Sequence, residues 1–258
     1  MPPNLRRGPA LFTLSFEKLD LMSARSQMER TTSLNPAAHP VVFSWSGGKD
    51  SAMALHALLR DSEFEVVALL TTVTEGYERI SMHGVRNELL RRQAESIGLP
   101  VEEVRIPPSC VNSIYEARMA EAVLRFRDRG VMRFGFGDIF LEDLRAYREQ
   151  KLLQANMTAL FPIWKVDTRE LAERFLKDGF RAIAACIDPR KLDKSFAGRE
   201  LDESFFRDLP AGVDPCGENG EFHTFVFDGP IFRSPVPVHI GQIVERDSFV
   251  FCDLLPAD

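Results

Sequence analysis

From residue 40 onward, short apolar runs alternate with longer stretches whose apolar residues recur at helical spacing. Short apolar runs followed by polar turns are typical of buried strands. The pattern predicts strands at 41–45, 65–73, 101–106, 131–137 and 180–187. It predicts helices at 51–60, 85–97, 113–129, 141–155 and 168–178. Strands that alternate with helices favour an α/β fold, with a Rossmann-like parallel sheet and helices on both faces.

The pattern changes after residue 187. Pro, Gly and Asp become frequent, and two short strands are predicted near 236–245 and 248–254. This composition predicts a smaller C-terminal α+β region at 188–258, beside a main domain at 40–187. Residues 1–39 lack sustained periodicity and are predicted to form a loosely ordered extension, which leaves the true start of the chain open.

Composition and charge narrow the classes of function. The 258-residue chain has a formal net charge of −6, so no overall basic field is present and stable nucleic-acid binding is not expected. The four cysteines form no C-x-x-C pair, which indicates neither a zinc site nor a disulfide framework. No run of about 18 apolar residues is present, so no membrane span is predicted. We therefore expect a cytoplasmic protein.

The loop S-G-G-K-D-S, between the first predicted strand and helix, is the strongest candidate for chemistry. It comprises Ser46, Gly47, Gly48, Lys49, Asp50 and Ser51. The N–H groups at a helix N-terminus attract phosphate, and glycines permit a close backbone approach. Asp50 would repel phosphate unless it helps to hold a cation or orients the loop, and Mg²⁺ is the cation that suits such a site. The loop has neither Walker A nor G-x-G-x-x-G spacing, and the alternative is a plain glycine-rich turn.

A second stretch, C-G-E-N-G-E-F-H-T at 216–224, adds paired carboxylates. The first loop resembles the pyrophosphate loop (PP-loop) of ATP pyrophosphatases, and the second stretch resembles the motif G-E-G-G-E-[YF]-E-T of diphthine-ammonia ligases. The positions that agree are Gly217, Glu218, Gly220, Glu221, Phe222 and Thr224. Asn219 replaces a glycine of that motif, and His223 replaces a glutamate. The resemblance covers about residues 40–232 and includes G-D-I at 137–139 and P-I-W at 162–164.

The resemblance implies a HUP/PP-loop type fold, with an ATP-binding domain at 40–187 and a substrate-side domain at 188–258. It also implies an AMP-forming ligase that adenylates an acceptor carboxylate and captures it with ammonia, using ATP and Mg²⁺. The acceptor would be a small molecule or a protein. Glu218 and Glu221 would hold ammonium, orient the acceptor or take a proton, and the alternative is that both only cap a tight turn. Asn219 and His223 leave it open whether diphthine is the acceptor.

Further candidates lie where the parallel strands are predicted to end, the edge at which ligands bind in open α/β sheets. His83, Gly137 and Asp138 are predicted near the nucleotide, and Arg148 near the substrate. Asn219 and His223 are further candidates on the substrate side. The alternatives are that His83 only starts a helix, that Asp138 only caps a segment with an arginine partner, and that Arg148 is solvated.

Two other functions stay open at this point. The first is a tRNA-modifying enzyme. The net negative charge and the absence of C-x-x-C pairs argue against it. The second is a nucleotide-binding sensor without catalysis, although Lys49, Asp50, Glu218 and Glu221 favour catalysis, since binding alone needs fewer carboxylates beside phosphate. The nitrogen source and the oligomeric state, a homodimer included, are not determined by the sequence.

Overall fold

A computed structural model of the chain describes residues 38–76, 79–80 and 84–258. Residues 1–37 of the predicted extension and the candidate His83 lie outside the described residues. Among the helices that are described, none has the length and apolar composition that crossing a bilayer requires.

The first six strands form one sheet with a parallel body. They are β1 (His39–Ser44), β2 (Phe64–Thr74), β3 (Arg79–Ile80), β4 (Val101–Ile106), β5 (Arg133–Gly135) and β6 (Thr158–Leu160). Five of them pair in parallel in the order β4-β2-β1-β5-β6, and β3 pairs antiparallel with the end of β2. The strand order reverses between β1 and β5. In such sheets the crevice at the carboxyl ends of these strands is the usual ligand site.

Helices cover both faces of this sheet, as predicted. They are α1 (Lys49–Arg60), α2 (Asn87–Ile97), α3 (Asn112–Asp128), α4 (Glu142–Gln154) and α5 (Thr168–Lys177). Val41 and Phe43 of β1 belong to one buried cluster with residues of α1, α2 and α5, whereas Val42 belongs to another with residues of α3 and α4. Successive residues of a strand face opposite sides of the sheet, so an apolar run such as β1 needs helices packed on both faces.

The C-terminal region contains a second, antiparallel sheet in the order β8-β7-β10-β9. Its elements are β7 (Arg181–Ile187), a short 3₁₀ turn (Lys194–Phe196), α6 (Glu203–Asp208), β8 (Phe222–Asp228), β9 (Val238–Arg246) and β10 (Phe249–Pro256). The strand predicted at 180–187 is present, but it pairs with β8 and β10 and not with the parallel sheet. The fifth parallel strand is β6, which the pattern did not predict. The domain boundary after residue 187 stays a prediction.

The two regions share one apolar core. Phe225 and Val226 of β8 are fully buried in the same cluster as α1, α2 and α5. The backbone N–H of Val226 donates to the carbonyl of Gly47 at 2.9 Å, across 179 positions of the chain. This contact sets β8 directly against the S-G-G-K-D-S loop, so the two stretches that carry the sequence motifs lie side by side.

Candidate active site

The S-G-G-K-D-S loop follows β1 and leads into the first turn of α1. Gly47 has a φ of +78°, and a side chain there would place its Cβ 2.7 Å from Oε1 of Gln93. Both facts require glycine at this position. Gly48 is the N-cap of α1 and provides no side-chain cap. The first N–H groups of a helix lack partners within it, so the turn presents the positive end of the helix dipole and several N–H donors, of which that of Lys49 bonds Thr224.

Gln93, on α2, holds this loop in place. Its side chain is fully buried, and its Nε2 donates to the carbonyls of Gly47 at 3.0 Å and Val226 at 2.5 Å. Its Oε1 accepts a hydrogen bond from the indole of Trp45 at 3.1 Å. Gln93 therefore bridges the end of β1, the loop and β8. No motif in the sequence identified it, and its only signal is an amide amid the apolar positions of a helix.

Lys49 is buried beneath the loop, with a residual exposure of 2%. Its Nζ donates to Oδ1 of Asp50 at 2.6 Å and to the carbonyl of Cys216, while its backbone N–H donates to Oγ1 of Thr224 at 3.0 Å. Burial lowers the pKa of Lys49, but the charges of Asp50, Cys216 and Glu218 outweigh it and raise the pKa above its ordinary value. Lys49 is therefore a fixed positive charge at the base of the site.

The second motif lies in a loop, residues 214–221, whose acidic side chains accept hydrogen bonds from the backbone of the same loop. Glu221 is 3% exposed, and its carboxylate accepts from the backbone N–H groups of Asp214 at 3.2 Å and Asn219 at 3.0 Å. The side-chain amide of Asn219 donates to it as well, at 3.1 Å. Asp214 in turn accepts from the N–H groups of Cys216 and Glu218 at 2.8 and 3.3 Å. These bonds fix the path of the loop.

Glu218 differs from Glu221, because its carboxylate projects from this loop into the site. Its buried Oε2 makes no hydrogen bond to the described residues. Burial, followed by the charge of Asp50, raises the pKa of Glu218 to about 7, although Lys49 acts in the opposite direction. A carboxyl group with this pKa exchanges protons near neutral pH, as a catalytic acid or base must.

Asp138 and Arg148 form an ion pair where β5 ends. Nε of Arg148 lies 2.8 Å from Oδ2 of Asp138, and its second terminal nitrogen, Nη2, donates to Oδ1 at 3.2 Å. Burial raises the pKa of Asp138 more than Arg148 lowers it. Gly137 lies against the first turn of α1, since a Cβ there would come within 2.9 Å of the Ser51 backbone. This close approach brings Asp138 next to the loop.

His223 is partly buried near the loop. Burial lowers the pKa of His223 below its ordinary value, while the charge of Asp50 opposes that shift. The imidazole is therefore neutral at pH 7. Its neighbour Thr224, which matches the sequence motif but was assigned no role there, caps the N–H of Lys49.

One cavity of about 380 Å³ brings most of the predicted residues together. Its lining includes Ser46, Gly48, Lys49, Asp50, Ser51, Gly137, Asp138, Arg148, Glu218 and His223. Gly47, Asn219 and Glu221 do not line it, and their contacts are with the protein itself. The cavity is also lined by residues that the sequence analysis did not identify, among them Thr71, Tyr115, Met119 and Phe136. It thus combines a phosphate-type loop, a buried cation and an ionisable carboxyl.

Known proteins resemble this chain over both regions. The Diphthamide synthase N-terminal domain matches residues 40–152, and the Diphthamide synthase C-terminal domain matches residues 167–254. The diphthine–ammonia ligase of Schizosaccharomyces pombe is 25% identical over 81% of this chain and 38% of its own length. The diphthine–ammonia ligase of Bos taurus is 27% identical over 45% of this chain and 45% of its own length. That of Danio rerio is 25% identical over 82% of this chain and 91% of its own length. The chain thus spans less than half of the first two relatives.

Among solved structures, the U34-tRNA thiolase NcsA from Methanococcus maripaludis aligns with 62% of this chain and 65% of its own, at a TM-score of 0.33 and 12% identity. That likeness is too weak to bear on function.

Proposed function

The chain belongs to the diphthamide synthase family, and we propose that it is an ATP-dependent, AMP-forming ligase that converts an acceptor carboxylate into an amide with ammonia. The observation that carries this proposal is the convergence of the phosphate-type loop, Lys49 and Glu218 on one cavity. The relatives named above are diphthine–ammonia ligases, which makes diphthine the first acceptor to test.

The loop would hold the β- and γ-phosphates of ATP. The positive end of the α1 dipole, the hydroxyls of Ser46 and Ser51, and the charge of Lys49 all suit this polyanion. Lys49 is already fixed by Asp50 and the Cys216 carbonyl, so little reorganisation is needed when charge develops on the departing pyrophosphate.

Mg²⁺ fits this arrangement through Asp50. Oδ1 of Asp50 contacts Lys49, and the side chain is 29% exposed in the cavity. In the part of the chain that the structure describes, no three His, Cys, Asp or Glu side chains cluster to hold a metal by themselves. Mg²⁺ commonly takes one or two carboxylates and completes its shell with substrate phosphates and water, and it would neutralise phosphate charge here.

The first chemical step would form an acyl adenylate. One carboxylate oxygen of the acceptor attacks the α-phosphorus, the bond from that phosphorus to the bridging oxygen breaks, and pyrophosphate leaves with the electron pair. The protein's contribution is to hold the two reactants in line and to stabilise the leaving charge. Arg148, with Asp138 as its partner, would orient the acceptor carboxylate, which its position in the cavity lining supports.

The second step would use Glu218. Ammonia attacks the carbonyl carbon, AMP leaves with the electrons of the broken carbon–oxygen bond, and one proton must be removed from nitrogen. With a pKa of about 7, Glu218 is partly ionised at neutral pH and has an unpaired oxygen with which to take that proton. Ammonium carries a positive charge, so the ionised form of Glu218 would also attract it.

The test is acceptor-dependent formation of AMP and pyrophosphate from ATP and Mg²⁺, with ¹⁵N-ammonium as the nitrogen source. We expect one ¹⁵N in the product amide for each AMP released, with diphthine-bearing protein as the first acceptor and small carboxylates next. ATP binding without AMP formation, across all acceptors, would contradict the ligase and favour a nucleotide sensor. AMP formation that requires tRNA would instead favour a tRNA-modifying enzyme.

A further inference from the structure

A second cavity, of about 480 Å³, lies between α3 and α4 on one face of the parallel sheet. Only Ala122 and Phe126 of the 17 residues of α3 are buried, and both lie in its C-terminal half. In the N-terminal half of α3, Tyr115 and Met119 are only partly buried against the sheet, and both line the cavity. Protein interiors are normally packed to high density, so an apolar space of this size is suited to an occupant.

This cavity adjoins the nucleotide cavity. Tyr115, Met119, Phe136 and Arg148 line both. Arg148 thus lies at the junction, with its guanidinium stacked over the ring of Phe136 at 4.2 Å. Its contacts with Asp138 use Nε and Nη2, while Nη1 makes no hydrogen bond to a described residue. A further donor of Arg148 is therefore available at the junction.

The lining indicates the chemistry of the occupant. Phe134 and Phe136 form a stacked floor, with ring centroids 4.8 Å apart and planes within 7°. Val123 and Leu124 of α3 add aliphatic walls. The charged pair of Glu116 and Lys151 joins α3 to α4 at 2.8 Å, so those two charges compensate each other. An apolar ring fits the body of the cavity, and an anionic group fits only the end at Arg148.

We propose that this cavity holds the ring-bearing apolar body of the acceptor, with the acceptor carboxylate beside Arg148 at the opening into the nucleotide cavity. The proposal rests on the proposed function, because it names the class of carboxylate that the ligase would adenylate: one attached through a short linker to a flat, largely apolar ring. The carboxylate would then enter the nucleotide cavity from the side of Arg148.

The nucleotide base has another place to lie. The nucleotide cavity extends along the carboxyl end of β2, where Leu70 offers an apolar surface and Thr71 and Thr72 offer polar groups. None of these three residues lines the second cavity. ATP and a ring-bearing carboxylate can thus be bound together, as an adenylation reaction requires.

The test uses 2-naphthylacetate as the probe and 2-naphthylacetamide as its neutral analogue. Isothermal titration calorimetry would be carried out on the full chain saturated with Mg²⁺ and α,β-methylene-ATP, which cannot release pyrophosphate. We expect the carboxylate to bind in the presence of the nucleotide, and at least about tenfold more tightly than the amide, since a charge-assisted bond to Arg148 is lost in the amide.

Two variants fill the cavity, and a third serves as a control. Val123→Phe projects a ring into the cavity, and Ala120→Leu adds bulk from an exposed position of α3 with little risk to folding. Ile114→Phe places the same ring on the same helix at a 41% exposed position that does not line the cavity. We expect both filling variants to weaken naphthylacetate binding by about tenfold or more, with the nucleotide affinity and the melting temperature unchanged.

Each contrary outcome is distinct. Competition between naphthylacetate and the nucleotide would show that the cavity takes the base, which overturns the proposal. Equal binding by the filling variants and Ile114→Phe would place the probe elsewhere, and absence of binding would remove the aryl-carboxylate class. Because no turnover is measured, the cavity site would stand even if ligase activity were never observed, and a ligase indifferent to Val123→Phe would leave the proposed function intact.

Discussion

The two motif loops meet at one cavity but are built in opposite ways. The S-G-G-K-D-S loop is held from behind, by Gln93 and by β8, and lines the cavity with the first turn of α1 and with the charged Lys49. The loop at 214–221 uses its N–H groups internally, on Asp214 and Glu221, and directs one carboxyl group outward. We therefore propose that one loop is a receptor for an anion, whereas the other is a rigid support for a single proton-exchanging group.

The comparison predicts its largest effect at Lys49. Lys49→Met removes the cation while it keeps most of the side-chain volume, and the anion receptor loses its only buried positive charge among the described residues of the loop. We expect pyrophosphate release to fall by about 10²–10³-fold, the usual cost of one preorganised charge-stabilising donor. The measurement is single-turnover pyrophosphate release.

Lys194→Met is the matched control for that variant, because Lys194 is 68% exposed and pairs with Glu245 on the surface. Near-normal turnover is expected for it. If Lys49→Met kept pyrophosphate release within a few-fold of the unchanged protein, the loop would not be the receptor for the leaving group.

The two glutamates supply the sharpest contrast, since Glu→Gln keeps the shape of each. Glu221→Gln replaces one acceptor oxygen with an NH₂ donor, which then faces the N–H of Asp214 or that of Asn219, and we expect it to cost about 1–3 kcal/mol of unfolding free energy. That cost should lower the melting temperature by about 2–4 °C per kcal/mol. Glu245→Gln, on an exposed surface pair, is the control with no expected change.

Glu218→Gln is expected to leave the melting temperature at neutral pH unchanged or higher, since the native carboxylate is buried without a hydrogen-bond partner at Oε2. It should slow amide formation while acceptor-dependent exchange of pyrophosphate into ATP continues, because only the second step uses this carboxyl group. If both Gln variants lowered the melting temperature equally, the distinction between supporting and reacting glutamate would be wrong.

Gln93 tests whether the receptor loop is preorganised by contacts on its far side. Gln93→Met removes both donors to Gly47 and Val226, and we expect the KM for ATP to rise by about tenfold with a smaller change in kcat. Trp45→Phe removes only the indole bond to Oε1 and serves as the control. A loss of stability with unchanged KM would make Gln93 a packing residue alone.

The sequence predicted the parallel sheet and its two helical layers, because these depend on local periodicity. The helix predicted at 113–129 is α3, which begins at Asn112. Its residue Glu116 bonds Tyr147 and Lys151 of α4. Strand β6 has only three residues, too few for a recognisable pattern.

Site residues were predicted where a motif carried them, and missed where only the fold brings them together. The loop and Glu218 follow from spacing, whereas Gln93 depends on where α2 packs. The sequence could not distinguish Glu218 from Glu221, because the difference lies in which backbone N–H groups each carboxylate meets across the turn. The sequence could not explain Asn219, which replaces a glycine of the motif, either. In the structure its side-chain amide donates a hydrogen bond to Glu221.

The smallest effect is a pH dependence of stability that should follow Glu218 alone. Because the pKa of Glu218 is raised from 4.5 to about 7 in the folded protein, folding favours its protonated form. That contribution to stability is fully present below pH 4.5 and is lost as the pH rises through 7. The melting-temperature difference between Glu218→Gln and the unchanged protein should therefore grow between pH 4.5 and 7 and then level off, whereas a constant difference would show that Glu218 titrates normally.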